Sequence, residues 1–336
     1  GSITYYGDSK KYKEYFKVDT AVAVFSQISG KTASNWISKY LNPRPLSLTT
    51  SQPIDVKSNS NTSPLNQYYW LTRRYFKIKT NDTINSAIML IQAPIIAVLI
   101  CFIFNEISSG VLFMIAISAI WLGTQNAARE IVSEQAIYKR ERMFNLDILP
   151  YLLSKITVLS SFSIIQSFLF VLILSIGYND NMLDLNDPLR IFVWMSFLSI
   201  ASTFLGLLLS SIVDTTEKAM TIVPLILIPQ IMLAGLIAKV EFTGVEILSY
   251  FTLSRWGVEG FNYIQDRVVV ESEICNIPPI DKEAIPMLLN RFHDNYQELF
   301  SLHGTIELDA YVITFMIIIM LVSIYRILKN KDSVTL

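Results

Sequence analysis

The chain has 336 residues and a formal net charge of -1, with 52% hydrophobic and only 16% charged residues, against about 25% charged in an ordinary soluble domain. Mean hydropathy is +0.42, and the apolar residues form unbroken runs of about 20, the length that crosses a bilayer. This balance excludes an ordinary soluble enzyme, and nucleic acid is not expected as a partner. Two cysteines, Cys101 in an apolar run and Cys275 in a polar one, make no disulfide framework or metal pattern. The sequence opens Gly-Ser without an initiator Met, so an upstream segment is expected and a missing signal peptide carries no information.

Residues 1–41 carry Lys10, Lys11, Lys13 and Lys17 and an amphipathic helix is expected from Asp19 to Tyr40, in a stretch too short to be a domain. Residues 42–64 turn to Pro, Ser, Thr and Asn, a composition that buries too little apolar surface to order itself, and read as a linker. The next stretch, PLNQYYWLTRRYFKIKTND, sets Arg73, Arg74 and Lys77 on one side of a helix and Tyr68, Leu71, Tyr75 and Ile78 roughly opposite. Such a helix suits the membrane surface, basic face to anionic headgroups and rings at the interface.

Six membrane-spanning helices are expected, near 85–104, 108–128, 150–177, 189–213, 219–238 and 309–328, so the fold class is all-α integral membrane with an interfacial helix in front. With the N-terminus cytoplasmic, the inner segments hold 21 of the 27 Lys+Arg. The outer segments hold Arg190, Lys239, Arg255, Arg267, Lys282 and Arg291 with 16 of the 28 acids. The positive-inside rule then puts both termini in the cytoplasm. The second outer loop is acidic through Asp180, Asp184 and Asp187, and the third, about 240–307, is an outer subdomain. Its opening, Gly244 to Gln265, is apolar but short and interrupted by Arg255, which reads as re-entrant or interfacial helices.

The spans are expected to hold almost no charge in their interiors, since Glu106, Lys155 and Asp309 fall near predicted ends. Proton- or ion-coupled transport and intramembrane hydrolysis both need such groups at depth, so a transporter of this kind draws its energy elsewhere. Ser29-Gly30-Lys31-Thr32 ends like the phosphate loop GxxxxGKS/T, but Phe25 stands where the first Gly belongs. His293 and His303 lie apart in the outer loop and read as solvated, and the sequons at Asn61 and Asn81 fall on the predicted cytoplasmic side. No catalytic residue, metal ligand or cofactor is expected in this chain.

The inner loop REIVSEQAIYKRERMFNLDILPYLLSK, Arg129 to Lys155, alternates charge. It suits a solvated helical hairpin, and equally a surface that docks a separate cytoplasmic motor through paired charges.

Several stretches together resemble the membrane domain of type-2 ABC exporters, most closely the ABCG (White) kind, including bacterial half-transporters with an N-terminal ATPase. Gly1 to Phe16 is similar to the tail of that family's nucleotide-binding domain. Tyr138-Lys139-Arg140-Glu141 with Pro150-Tyr151 and Lys155 resembles its motif after span two. Gly206 to Gly235 resembles its spans four and five, and Ser254-Arg255-Trp256-Gly257 its re-entrant segment. The resemblance implies a nucleotide-binding-domain tail over 1–41, a linker over 42–64 and a six-helix permease over 65–336. It implies partners too: a second copy of the membrane domain, an ABC ATPase domain holding ATP and Mg, and membrane lipids, in a bacterial inner membrane. Carried over by position, the substrate path runs along Ile115, Ser118, Ala119 and Leu122 on span two, and Leu227, Ile228 and Ile231 on span five with Leu236 as plug. Coupling to the ATPase falls to Glu134, Tyr138, Arg140 and Glu141. These path positions lack the aromatic and amide groups of some drug-exporting relatives, which favours a lipid-like cargo. A different class stays open on the residues alone: a non-transporting scaffold or sensor presenting its outer subdomain to a partner. Pro224 and Pro229 remove backbone hydrogen bonds and are expected to kink span five.

Overall fold

A computed structural model describes residue 5 and residues 11–28, 35, 36, 38, 63–104, 107–178, 187–234, 243–265 and 305–335. The chain divides into two units, 1–61 and 62–336. In the first, α1 (Tyr12–Phe16) ends where Lys17 takes a left-handed φ of 51°, and α2 covers Ala21–Ile28. Phe16 is buried, with its ring centroid 4.9 Å from that of Trp36 and 5.0 Å from that of Tyr15. Of the helix expected from Asp19 to Tyr40, α2 forms the described part, and Ser29 to Thr32 lie outside the described residues.

In the second unit, α3 (Pro64–Asn81) starts on a proline, whose fixed φ and missing N–H suit a first turn. Asp82 breaks α3 and caps the next helix by accepting from the Asn85 N–H. There follow α4 (Thr83–Ile103), α5 (Ser109–Ala127), a 3-10 turn (Val132–Glu134), α6 (Gln135–Arg142) and α7 (Ile148–Gly177). Beyond them come α8 (Pro188–Ile212), α9 (Thr216–Met232), α10 (Thr243–Ser249), α11 (Leu253–Ile264) and α12 (Ile306–Thr335).

Five stretches are long and apolar enough to cross a membrane: Thr83–Ile103, Ser109–Arg142, Ile148–Gly177, Pro188–Ile212 and Ile306–Asp332. The remaining expected span, 219–238, overlaps α9, which is not one of these five; its 17 described residues rise about 26 Å at 1.5 Å each. That is the lower end of what a bilayer core requires, and residues 235–240 lie outside the described residues.

The long helices alternate in direction, so α3, α6 and the end of α12 gather at one end of the bundle, the base. The α7–α8 connection, α10, α11 and the start of α12 gather at the other. The axis of the bundle is α8, which packs on α5, α7, α11 and α12. Lipid tails are as apolar as leucine, so such contacts depend on close approach of backbones. A Cβ on Gly123 would strike the Ser199 carbonyl, and one on Gly206 would lie 2.5 Å from the Thr124 carbonyl oxygen. The two glycines therefore set the α5–α8 separation.

The expected re-entrant segment is two helices joined through Tyr250–Thr252. With 12 residues α11 rises about 18 Å, too short to cross. It is instead walled in by α5, α8, α9 and α12. Trp194 Nε1 donates to the Gly257 carbonyl at 3.0 Å, and the Ser254 N–H to Gln230 Oε1 at 3.0 Å.

Candidate functional site

The base is knitted by ion pairs between elements far apart in sequence. Lys79 of α3 meets Glu130 at 2.5 Å, and the Tyr75 hydroxyl donates to the same carboxylate. Burial, with Glu130 adding to it, holds the Tyr75 phenol well above its ordinary pKa, so it stays a donor. Lys155, in the second turn of α7 and 2% exposed, pairs with Glu134 at 2.5 Å and lies 3.7 Å from the Tyr75 ring centroid. Arg74 grips Glu141 with two bonds, 2.5 and 3.1 Å, and that bond raises the guanidinium pKa further. Arg142 pairs with Asp332 at 2.7 Å, and the Tyr138 hydroxyl donates to Asp332 at 3.2 Å. The Tyr138 and Tyr151 rings stack at 4.8 Å.

Three of the four residues expected to couple to an ATPase are thus locked into this network: Glu134 to Lys155, Tyr138 to Asp332, Glu141 to Arg74. The fourth, Arg140, is exposed and lines a groove of about 470 Å³ with Trp70, Leu71, Glu141, Phe144 and Leu146. Phe144 and its neighbour Met143, just after α6, are 81% and 69% exposed. Sequence reading passed over them, although two large apolar residues at the tip of a charged loop are the available signal. It also passed over Asp332, whose partners are 190 or more positions away. The expected face of α3 is largely inward, Tyr68 bonding Thr157 at 2.8 Å and Leu71 and Tyr75 buried, but Ile78 is exposed.

On α5, Ile115, Ser118, Ala119 and Leu122 are buried among the helices of the same protomer, and Ser118 Oγ donates to the Met114 carbonyl at 2.6 Å. The side of α5 left open carries Met114 and Trp121, with Ile117 and Gln125 partly covered. On α9, Leu227 is buried and Ile231 partly buried, while Leu225, Ile228 and Met232 are open; Leu236 lies outside the described residues.

At the far end a charged cluster lies outside the interiors of the expected spans, on the re-entrant α11 and in the first turn of α12. Arg255, Glu259 and Asp309 are all fully buried. Arg255 Nη2 lies 4.0 Å from Glu259 Oε2, and its guanidinium carbon 5.0 Å from the Tyr250 ring centroid. Asp309 interacts electrostatically with both charges, and neither of its oxygens has a hydrogen-bond partner among the described residues. The burial comes from α11: folded back into the bundle, it covers positions that look terminal in the sequence. Among the described residues no group of three His, Cys, Asp or Glu is placed to hold a metal, and His293 and His303 lie outside them.

A helical bundle of long apolar spans, preceded by α3 and carrying a charged turn between its second and third spans, is a multi-pass membrane domain. Residues 66–265 match the ABC-2 type transporter family, and the chain belongs to that family. Over 236 residues it is 24% identical to an ABC transporter ATP-binding/permease protein of Mycobacterium tuberculosis, an alignment that takes in 64% of this chain and 27% of the relative. The chain thus spans about a quarter of that relative's length.

Proposed function

We propose that this chain is the permease half of an ATP-driven exporter that moves a hydrophobic or amphipathic, lipid-like molecule out of the cytoplasm or the inner leaflet. The base is its cytoplasmic side, and two copies form the working unit. ATP and Mg are held by an associated nucleotide-binding domain, whose partner surface is the groove between α3 and the tip of α6. The observation that carries this reading is the base network. A push on the α6 tip is transmitted through Glu141–Arg74 to α3, through Glu134–Lys155 to α7, and through Arg142–Asp332 to α12. A motor docked there would act on three elements at once.

The substrate path includes the side of α5 that one copy leaves open, Met114, Ile117 and Trp121, together with the exposed Ile228 and Met232 of α9. Pro224 and Pro229 free backbone carbonyls within α9, which suits a helix that changes its bend as access alternates.

The test is vanadate-sensitive ATPase activity of the complete transporter in lipid vesicles, with lipid transport followed in parallel. Arg140→Glu and Phe144→Ala should each leave the protein in the membrane and reduce transport per ATP at least tenfold, about 1.4 kcal/mol of coupling. Transport at the unmodified rate in both variants would remove the groove from the mechanism.

A further inference from the structure

Where α3 turns into α4, at the base, a crevice of about 90 Å³ opens against the last turn of α5. Its walls are polar in a region that is otherwise apolar: Lys79, Asp82, Asn85, Gln92, Asn126 and Arg129 among them. The lining runs about 10 Å along α4, from Asn85 to Gln92 at 1.5 Å per residue, polar apart from Ile88 and Met89. Its floor is closed by a chain of amides, Asn126 Nδ2 donating to Gln166 Oε1 at 2.6 Å and Gln166 Nε2 to the Met89 carbonyl at 2.5 Å.

The charges are unequally used. Lys79 and Glu130 neutralise each other. Asp82 accepts only from the backbone N–H and side-chain amide of Asn85, and neither it nor Arg129 joins an ion pair within 4.0 Å among the described residues. One anion and one cation therefore face a shared space without meeting. Buried Gln92 Oε1 has no hydrogen-bond partner either. Alongside it, Ile84, Ile88, Ile91 and Ile95 form an open stripe along α4, each more than half exposed, with Ile88 also lining the crevice.

We infer that this crevice and stripe are a binding site for a zwitterionic, primary-amine phospholipid of the phosphatidylethanolamine class. The ammonium lies against Asp82, the phosphate against Arg129 and the amides, and an acyl chain runs down the isoleucine stripe. A phosphatidylglycerol headgroup offers nothing cationic to Asp82, and the trimethylammonium of phosphatidylcholine has no N–H to donate to it. The site involves no nucleotide and no transport step, so it stands or falls independently of the exporter reading.

Native mass spectrometry of the full chain in detergent, titrated with phosphatidylethanolamine, phosphatidylglycerol and phosphatidylcholine of matched chains, tests it. The expected order is phosphatidylethanolamine tightest by about tenfold, the size of one charge-assisted contact. Asp82→Asn keeps the helix cap, since Asn caps as well as Asp; it should lower phosphatidylethanolamine affinity to the phosphatidylglycerol level and leave phosphatidylglycerol unchanged. Arg129→Gln should weaken both, and Arg129→Lys should restore part of the loss. Equal affinity for the three lipids in the unmodified chain overturns the inference, and so does unmodified phosphatidylethanolamine binding in both charge-removing variants. Binding of acyl-free glycerophosphoethanolamine as tightly as the lipid would also overturn it, assigning the crevice to a soluble solute.

Discussion

Arg255 and Glu259, one turn apart on α11, and Asp309 on α12 are fully buried and interact electrostatically. Such a group is costly to bury and more costly to break, because removing one member leaves the others uncompensated. Arg255→Met should lower stability by about 3–5 kcal/mol, read as a drop in unfolding temperature in detergent. Adding Asp309→Asn to it should recover part of that loss by removing one of the repelling acids. An unchanged unfolding temperature in Arg255→Met would mean that the cluster contributes nothing to the fold. Arg74–Glu141 behaves differently, since both side chains are partly exposed and such pairs contribute about 0.2–1 kcal/mol. Glu141→Lys should therefore cost little stability while disturbing the α3–α6 contact, and exchanging the two residues should restore it. Thermal unfolding and ATPase-coupled transport measured on the same three proteins separate the two effects.

At the scale of helices, α5 and α8 approach through Gly123 and Gly206. A larger residue at Gly206 would have to displace Thr124 and Ala127, both fully buried, so Gly206→Leu should force the helices apart and sharply reduce folded protein recovered from membranes. Gly110→Ala, whose Cβ would meet nothing closer than 3.4 Å, is the matched control and should be neutral. Equal yields of the two variants would show that the α5–α8 contact tolerates separation. The long apolar helices and the helix α3 were legible because each rests on a local pattern, a run of about 20 apolar residues or a two-sided helix. The partners of Asp332 and the burial of Asp309 were not. They depend on α12 returning beside α6 and on α11 folding inward, interactions between residues 50 to 194 positions apart. For α5, spacing at i, i+3, i+4 and i+7 defines a stripe but not what lies opposite it. Here the stripe Ile115–Leu122 lies among the protomer's own helices.

For the whole molecule, the open sides of α5 and α9 bear on how two copies would meet. Met114 and Trp121 are exposed on α5, while Ile115 and Ala119, one and two positions away, are completely covered. In a two-fold dimer a residue near the axis meets its own counterpart, so a single cysteine there cross-links to itself. With Cys101 and Cys275 replaced by serine, Met114→Cys and Trp121→Cys should give disulfide-linked dimers in membranes treated with a mild oxidant. Ala119→Cys should stay monomeric under the same treatment, because reaching a second copy would require α5 to rotate away from α8, which Gly123 and Gly206 hold close. The reverse pattern, a dimer through Ala119 and none through Trp121, would return the path to the stripe Ile115, Ser118, Ala119 and Leu122. It would also require a helix arrangement in which α5 parts from α8.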